Sequence, residues 1–244
     1  MKTFRMLGMV LMAVLMCVNF TSCGEPAEVK NESGIVISGK KLVKMVLEDD
    51  EEPTTVTFIY DEQGRLTKVG SGTDSEDQIN FKWHDNNKIE VCGVFFYEPE
   101  HDIILENGLV QDCYHYEFTY NESNRLIEAE TPYTFGDFKV TWNNDKLMSI
   151  EEDEEITNLT YEKNCKNGYN PLIVNLVGFM SVDNFLFIAH PEIVGIRSKQ
   201  LPISLTTKDG SALEFQYEME DGYISKVKIN QRHAFTFVWE DLSK

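Results

Sequence analysis

Phe58-Ile59-Tyr60-Asp61-Glu62-Gln63-Gly64-Arg65-Leu66 returns, position for position, as Phe118-Thr119-Tyr120-Asn121-Glu122-Ser123-Asn124-Arg125-Leu126. Aromatic residues two apart fall on one face of a strand. The polar stretch turns the chain, and the Gly or Asn just before the Arg supplies the left-handed backbone that a type I turn with a bulge requires. A second strand starts at the Leu, so each unit is an antiparallel hairpin. Further copies are Phe81-Lys82-Trp83-His84 through Asn87-Lys88-Ile89, Phe215-Gln216-Tyr217-Glu218 through Asp221-Gly222-Tyr223-Ile224, and the shorter Val140-Thr141-Trp142-Asn143 through Lys146-Leu147. A truncated copy, Phe237-Val238-Trp239-Glu240-Asp241-Leu242, closes the chain.

Hairpins at this period form a long meander whose edges must be hidden, and closing the sheet into a barrel hides them. Residues 35–244 read as a single all-β domain with room for about a dozen strands of 5–10 residues. A barrel that wide has an interior that side chains alone do not fill. The filler is sought in the one segment that breaks the pattern, residues 171–190. After Asn170-Pro171, the residues Leu172, Ile173, Leu176, Val177, Phe179 and Met180 keep helical spacing, and Leu186 and Ile188 carry the apolar character to His190-Pro191, which should end it. A minor helical segment filling or plugging the barrel is expected, with a buried strand as the alternative because the run is rich in β-branched residues. As a transmembrane segment it fails, since Asn175, Asp183 and Asn184 interrupt it before the ~20 apolar residues that a span requires.

The 244 residues carry 22 Lys+Arg against 41 Asp+Glu, a formal charge of −19 and a pI near 4.6. Such a field repels nucleic acid, which excludes it as a partner. Hydrophobic residues at 42% still allow a packed core, so acidity does not mean disorder. Lys2 and Arg5 precede an apolar stretch from Met6 to Val18, and Phe20-Thr21-Ser22-Cys23-Gly24 follows. This is similar to a bacterial lipoprotein signal, cut before Cys23 once its thiol carries lipid. Residues 1–22 are then the signal, 23–34 a lipidated polar tether, and 35–244 the folded domain. An ordinary secretory signal or an uncleaved anchor would equally export the chain. Gly24 stands where an inner-membrane retention signal would place Asp, which favours the outer membrane by resemblance to other lipoproteins. Loss of Lys2 and Arg5 leaves 20 basic against 41 acidic residues, a charge of −21.

The Tyr-Asp-x-x-Gly-Arg-Leu units resemble the tyrosine-aspartate repeats of large bacterial shell-forming proteins. They resemble more closely a family of Bacteroides-group lipoproteins of unknown function with a porin-like antiparallel barrel. In that family an Asn-Pro-Leu segment interrupts the hairpins and a Lys-x-Leu-Pro sequence follows, here Asn170-Pro171-Leu172 and Lys199-Gln200-Leu201-Pro202. The resemblance implies a fold and an envelope location and carries over no catalytic residue. The fifth unit has Tyr223 where Arg is usual, which leaves its register open.

Chemistry-bearing residues are sparse in pattern. Cys92, Cys113 and Cys165 remain after Cys17 leaves with the signal and Cys23 takes lipid; Cys92 lies in an apolar run and is expected in the core, and Cys113 could pair with Cys165 in an oxidising compartment. His84, His101, His115, His190 and His233 share no metal-ligand spacing, and turn chemistry accounts for His84. Cys113-Tyr114-His115 offers a thiol and an imidazole on one strand face, an arrangement that packing produces more often than catalysis. The acidic runs Glu48 to Glu52 and Glu151 to Glu155 fall between expected strands as solvated loops and lack the ligand pattern of a calcium loop. No catalytic residue, metal site or cofactor is expected. The reading is an outer-membrane lipoprotein acting as a non-catalytic binding or interaction module, held to the membrane by its N-terminal lipid, with an envelope protein, glycan or apolar ligand as partner. Competing readings are a carrier of an apolar ligand inside the barrel and a hydrolase of envelope or dietary polymers.

Overall fold

The computed structural model describes residues 29–30, 36–37, 40–48, 53–71, 78–84, 87–93, 100–113, 116–131, 137–144, 146–152, 155–162, 184–195 and 200–241. Two short strands, β1 (Val29–Lys30) and β2 (Val36–Ile37), pair with each other. The next seven strands are β3 (Lys40–Leu47), β4 (Thr54–Tyr60), β5 (Leu66–Ser71), β6 (Gln78–His84), β7 (Lys88–Gly93), β8 (His101–Glu106) and β9 (Leu109–Cys113). Then come β10 (Tyr116–Tyr120), β11 (Leu126–Glu130), β12 (Phe138–Asn143), β13 (Lys146–Glu152) and β14 (Glu155–Thr160). A helix, α1 (Asn184–Ala189), precedes β15 (Ser204–Thr206), β16 (Ala212–Glu220), β17 (Tyr223–Ile229) and β18 (Arg232–Asp241). Strands β3 to β18 pair antiparallel in chain order, and β18 pairs with β3 to close a barrel of sixteen strands. The expected fold class is therefore observed. The strand number exceeds the dozen read from the sequence, partly because the hairpin β8–β9 turns at Asn107-Gly108 without the aromatic, Arg and Leu of the repeat.

A strict meander sends every even-numbered strand to one mouth and every odd-numbered one away from it, so the repeat turns all gather at that mouth. Gly64 (φ 79) and Asn124 (φ 56) adopt the left-handed backbone expected of them. The side chain of Asp61 holds its turn by accepting from the N–H groups of Gln63 and Arg65, and Asn121 does the same for Ser123 and Arg125. The turn is followed by a bulge that sets Tyr60 opposite Leu66, and equivalent bulges set Tyr120 opposite Leu126, Trp142 opposite Leu147, Met219 opposite Ile224, and Trp239 opposite Leu42. In the fifth unit the register is shifted by two residues: Met219, not the repeat aromatic Tyr217, stands opposite Ile224, and Tyr217 pairs with Val227.

The bulge explains why the same residue types return from copy to copy. Beside it the carbonyl of the Leu or Ile accepts from the aromatic side chain of the following hairpin. Trp83 Nε1 donates to Leu66 O, Trp142 Nε1 to Leu126 O and Trp239 Nε1 to Ile224 O, at 2.8–2.9 Å. Tyr60, Tyr120 and Tyr161 hydroxyls donate to Leu42 O, Val110 O and Leu147 O. The cation before each Leu lies over the same ring: Lys41 over Tyr60, Arg65 over Trp83, Arg125 over Trp142 and Lys146 over Tyr161. Tyr223 replaces that cation with a tilted ring contact to Trp239, centroids 5.6 Å apart.

Each strand alternates an apolar inward face with a polar outward one. In β16, Phe215 points in while Glu214, Gln216, Glu218 and Glu220 point out; in β12, Phe138, Val140 and Trp142 face Lys139, Thr141 and Asn143 in the same way. Inward side chains of all hairpins merge with α1 and the turn after it into one hydrophobic core. Removing a single mouth hydrogen bond should therefore be measurable. Trp142→Phe keeps the ring but leaves Leu126 O without its donor, and urea unfolding should show a loss of about 1–3 kcal/mol. Lys146→Ala removes only a cation from over Tyr161 and should cost about 0.5–1 kcal/mol in the same assay.

Candidate functional site

Three bulge residues present their N–H as well as their C=O to the mouth, and the insert between β14 and β15 meets all three. The Leu66 N–H donates to His190 Nε2 at 3.0 Å, Val110 N–H to Ile193 O at 2.7 Å, and Leu126 N–H to Gly195 O at 3.3 Å. The segment 184–195 is thus seated inside the barrel, with Leu186, Phe187, Ile188, Ile193 and Val194 fully buried. Phe185 packs edge-on to Phe58 and Phe187 to Phe118. The expectation of a helical plug is met over Asn184–Ala189, and His190-Pro191 does end the helix. Residues 171–183 lie outside the described residues.

His190 is the pivot of this seat. A backbone N–H can only donate, so Nε2 accepts and the ring proton sits on Nδ1, 2.9 Å from Glu192 Oε1. The ring is 2% exposed and meets the edges of Trp83 and Tyr60, with centroids 5.6 and 6.2 Å away. Burial, with Glu192 nearby, pushes the Tyr60 hydroxyl above its ordinary value, which keeps it protonated as the donor to Leu42 O. Both ring nitrogens of His190 are engaged, so its geometry is that of a fastener between plug and wall. Gly195 is a second tight point: at φ +62 a Cβ would stand 2.4 Å from Asn124 O and 2.9 Å from the Tyr120 ring.

A second cluster of titratable groups lies on the outer face of β6 and β7. His84 Nε2 is 2.7 Å from Glu90 Oε2, Lys82 Nζ is 3.3 Å from it, and Cys92 Sγ donates to Glu90 Oε1 at 3.4 Å. Hydrogen bonds from His84 first, then Cys92 and Lys82, hold the Glu90 carboxyl down to about 2. Burial, then the bond to Glu90, pushes the Cys92 thiol up, the opposite of what an attacking thiolate needs. The cluster is a surface charge network. Two expectations are corrected here. Cys92 is half-exposed rather than a core residue, because strict alternation gives the inward place to Ile89 and Val91. His84 ends β6 opposite Lys88 and pairs with Glu90 instead of closing a turn.

The other residues singled out by sequence do not converge. Cys113 is buried in β9, and Cys165 and His115 lie outside the described residues, as does Cys23. His101 begins β8 opposite Val91, and His233 lies in β18. The run Glu151 to Glu155 is not simply a loop, since Glu151 and Glu152 belong to β13 and Glu152 pairs with Glu155 of β14. Among the described residues no three His, Cys, Asp or Glu side chains gather as metal ligands. Sequence reasoning misses His190 and Gly195 as site residues, since the wall groups they meet lie far away in the chain, 124 residues in the case of His190. Only Gly195 itself, closing the turn Pro191 to Gly195, carries a local signal of close approach.

The outer face sets what the barrel can meet. Large exposed apolar residues among those described are Ile59, Ile104, Ile156 and Val238, one each on strands that do not adjoin. Polar side chains lie between them, some in cross-strand ion pairs such as Lys88–Asp102, Lys139–Glu128 and Lys228–Glu218. A membrane-spanning barrel carries an outward apolar band about 25 Å tall on strands of about 9–11 residues. Strands β9, β10 and β11 have five residues each, and their outward positions include Asp112, Glu117, Glu128 and Glu130. The described outward positions of these strands thus carry charge where such a band would be apolar.

No family model and no curated protein matches the chain by sequence. Among solved structures, a porin-like protein from Bacteroides uniformis superposes with a TM-score of 0.61 at 15% identity, over 82% of this chain and 96% of that one. The likeness is one of fold. A porin-like protein from Bacteroides vulgatus aligns over 82% of this chain and 99% of that one, with 12% identity and a TM-score of 0.38.

Two measurements check the site. His190→Phe preserves ring packing but strands the Leu66 N–H, and should lower stability by about 1–3 kcal/mol, with His190→Gln recovering part of the loss through its amide oxygen. On the outer face, the depressed Glu90 carboxyl contributes stability that is complete above its ordinary 4.5 and is lost as pH falls through about 2. Carbon-13 NMR should find Glu90 titrating near 2 in the native protein and closer to 4.5 in His84→Ala.

Proposed function

We propose that the protein is a lipid-anchored envelope protein that acts by binding rather than by catalysis, with Cys23 as the lipidated residue and the outer membrane as its site. The observation that carries this reading is the inverted barrel: an apolar, plugged interior inside a charged wall. A body with that surface needs a separate anchor to stay at a membrane, and the N-terminal apolar stretch followed by Cys23 supplies one. The porin-like neighbour supports an envelope setting through its fold. The partner class is an envelope protein, a glycan or a peptide, met by the polar wall and the connections at the mouths.

Expression of the full chain in a lipoprotein-processing bacterium tests it. The native protein should partition with detergent, and Cys23→Ser should be soluble without detergent while keeping the same β-rich circular dichroism. Detergent-dependent folding of Cys23→Ser would mean that the barrel itself enters the membrane and would end the proposal. A second reading, carriage of an apolar molecule, has one specific observation behind it, the uniformly apolar inward face. Organic extraction of detergent-free protein followed by mass spectrometry decides between them, since a carrier yields a stoichiometric lipid and a packed plug yields none.

A further inference from the structure

Among the described residues, three bonds seat the plug on backbone N–H groups of the wall, and one of them can be switched off by a proton. Val110 and Leu126 donate to the carbonyl oxygens of Ile193 and Gly195, which do not titrate, whereas Leu66 donates to Nε2 of His190. That bond requires a neutral ring, since Nε2 has a lone pair to offer only while it carries no hydrogen. A protonated Nε2 would point its own N–H at the Leu66 N–H across 3.0 Å, donor against donor. The three bonds also hold different parts of the plug. His190 follows the last turn of α1, its N–H donating to Leu186 O at 2.7 Å, while Ile193 and Gly195 lie in the turn beyond. The helix itself meets the wall through apolar contacts such as Phe185 on Phe58 and Phe187 on Phe118.

From this geometry we propose that His190 is a pH-sensitive latch: protonation of Nε2 releases the Leu66 N–H and unfastens α1 from the wall, while the turn 191–195 stays seated. Imidazole suits such a switch because its charge changes under mild acid rather than under denaturing conditions. The groups that face the ring decide how the charge is received. On the plug itself, Glu192 accepts from Nδ1–H at 2.9 Å and does so in both ring states, so the cation has a partner where it stands. From β4, Tyr60 presents its ring and a hydroxyl that burial keeps protonated; from β6, Trp83 presents an uncharged ring. Lys41 of β3 lies over Tyr60 and Arg65 over Trp83, with Asp61 of the same turn paired to Arg65 at 2.7 Å. These two cations and two carboxylates balance, which leaves the hydrogen-bond geometry at Nε2 to set the outcome. The latch therefore opens locally, by loss of one hydrogen bond, with the sheet intact. Because α1 packs on β5, its release uncovers apolar wall at the mouth.

The molecule carries its own references, since the donors of all three bonds are Leu or Val and appear together when those residues are labelled. The full chain, nitrogen-15 labelled on Leu and Val and kept in mild detergent, is followed by amide hydrogen exchange from about pH 7.5 to about 5, each rate corrected for the intrinsic pH dependence of exchange. On acidification, protection of Leu66 should fall severalfold relative to Val110 and Leu126, whose acceptors do not titrate. His190→Gln offers Leu66 an amide oxygen that takes up no proton in this range, and should abolish the difference. Glu192→Gln keeps a partner for Nδ1–H but removes its charge, and should move the transition to lower pH. Leu66 protection that tracks the two references throughout would overturn the latch, as would a fall that persists in His190→Gln.

Discussion

The bulge that follows four of the five repeat turns, all but that of β6–β7, is the constraint on which the molecule depends. An extra residue near the end of a hairpin, such as Thr67, leaves the Leu, Ile or Val before it paired with the opposite ring, and the backbone groups of that Leu, Ile or Val that point away from the ring's strand cannot remain unmet in an apolar setting. Leu66 shows the solution in full: its carbonyl receives Trp83 and its N–H is received by His190. Val110 and Leu126 repeat it with Tyr120 and Ile193, and with Trp142 and Gly195. The same event fixes hairpin register, couples each hairpin to the next, and creates the seat for the plug.

The inverted polarity of the wall follows from the same seat. Once the interior is apolar and occupied by 184–195, the outward face is free to carry charge, and Lys–Glu and Lys–Asp pairs cover it. Individually such exposed pairs are worth little. Collectively they define a surface that resists both lipid and strand-to-strand association. A barrel of this outline is easily taken for a channel, and here neither the outer nor the inner face has a channel's chemistry.

Much of the fold is legible in the sequence because each repeat contains its whole local instruction: ring, turn former, left-handed Gly or Asn, cation, Leu. The hairpin β8–β9 escapes because Leu105 stands where Tyr60, Tyr120 and Trp142 stand in other hairpins, although Asn107-Gly108 is itself a strong turn signal. Cys92 is misplaced when its neighbourhood is read as an apolar run; alternation from Ile89 and Val91 turns it outward. The plug segment is legible as an interruption, but the role of His190 is not, since its partner Leu66 is 124 residues away and no local pattern encodes that distance. Turn chemistry and strand faces are properties of neighbours in sequence, whereas the seat of the plug exists only after the sheet has curved.

Closure has a temporal side. Fifteen of the sixteen pairings around the sheet join strands that follow one another in the chain, and the sixteenth joins β18 to β3. Until β18 is available, β3 is an unpaired edge and the growing sheet is a template for a foreign strand. Local hairpins form readily, while the last pairing closes a loop of nearly the whole domain. The ten residues of β18, the longest strand of the barrel, bear the task of ending that exposure. A chain lacking them would be an adhesive open sheet, so the pairing of β18 with β3 is what removes the exposed edge.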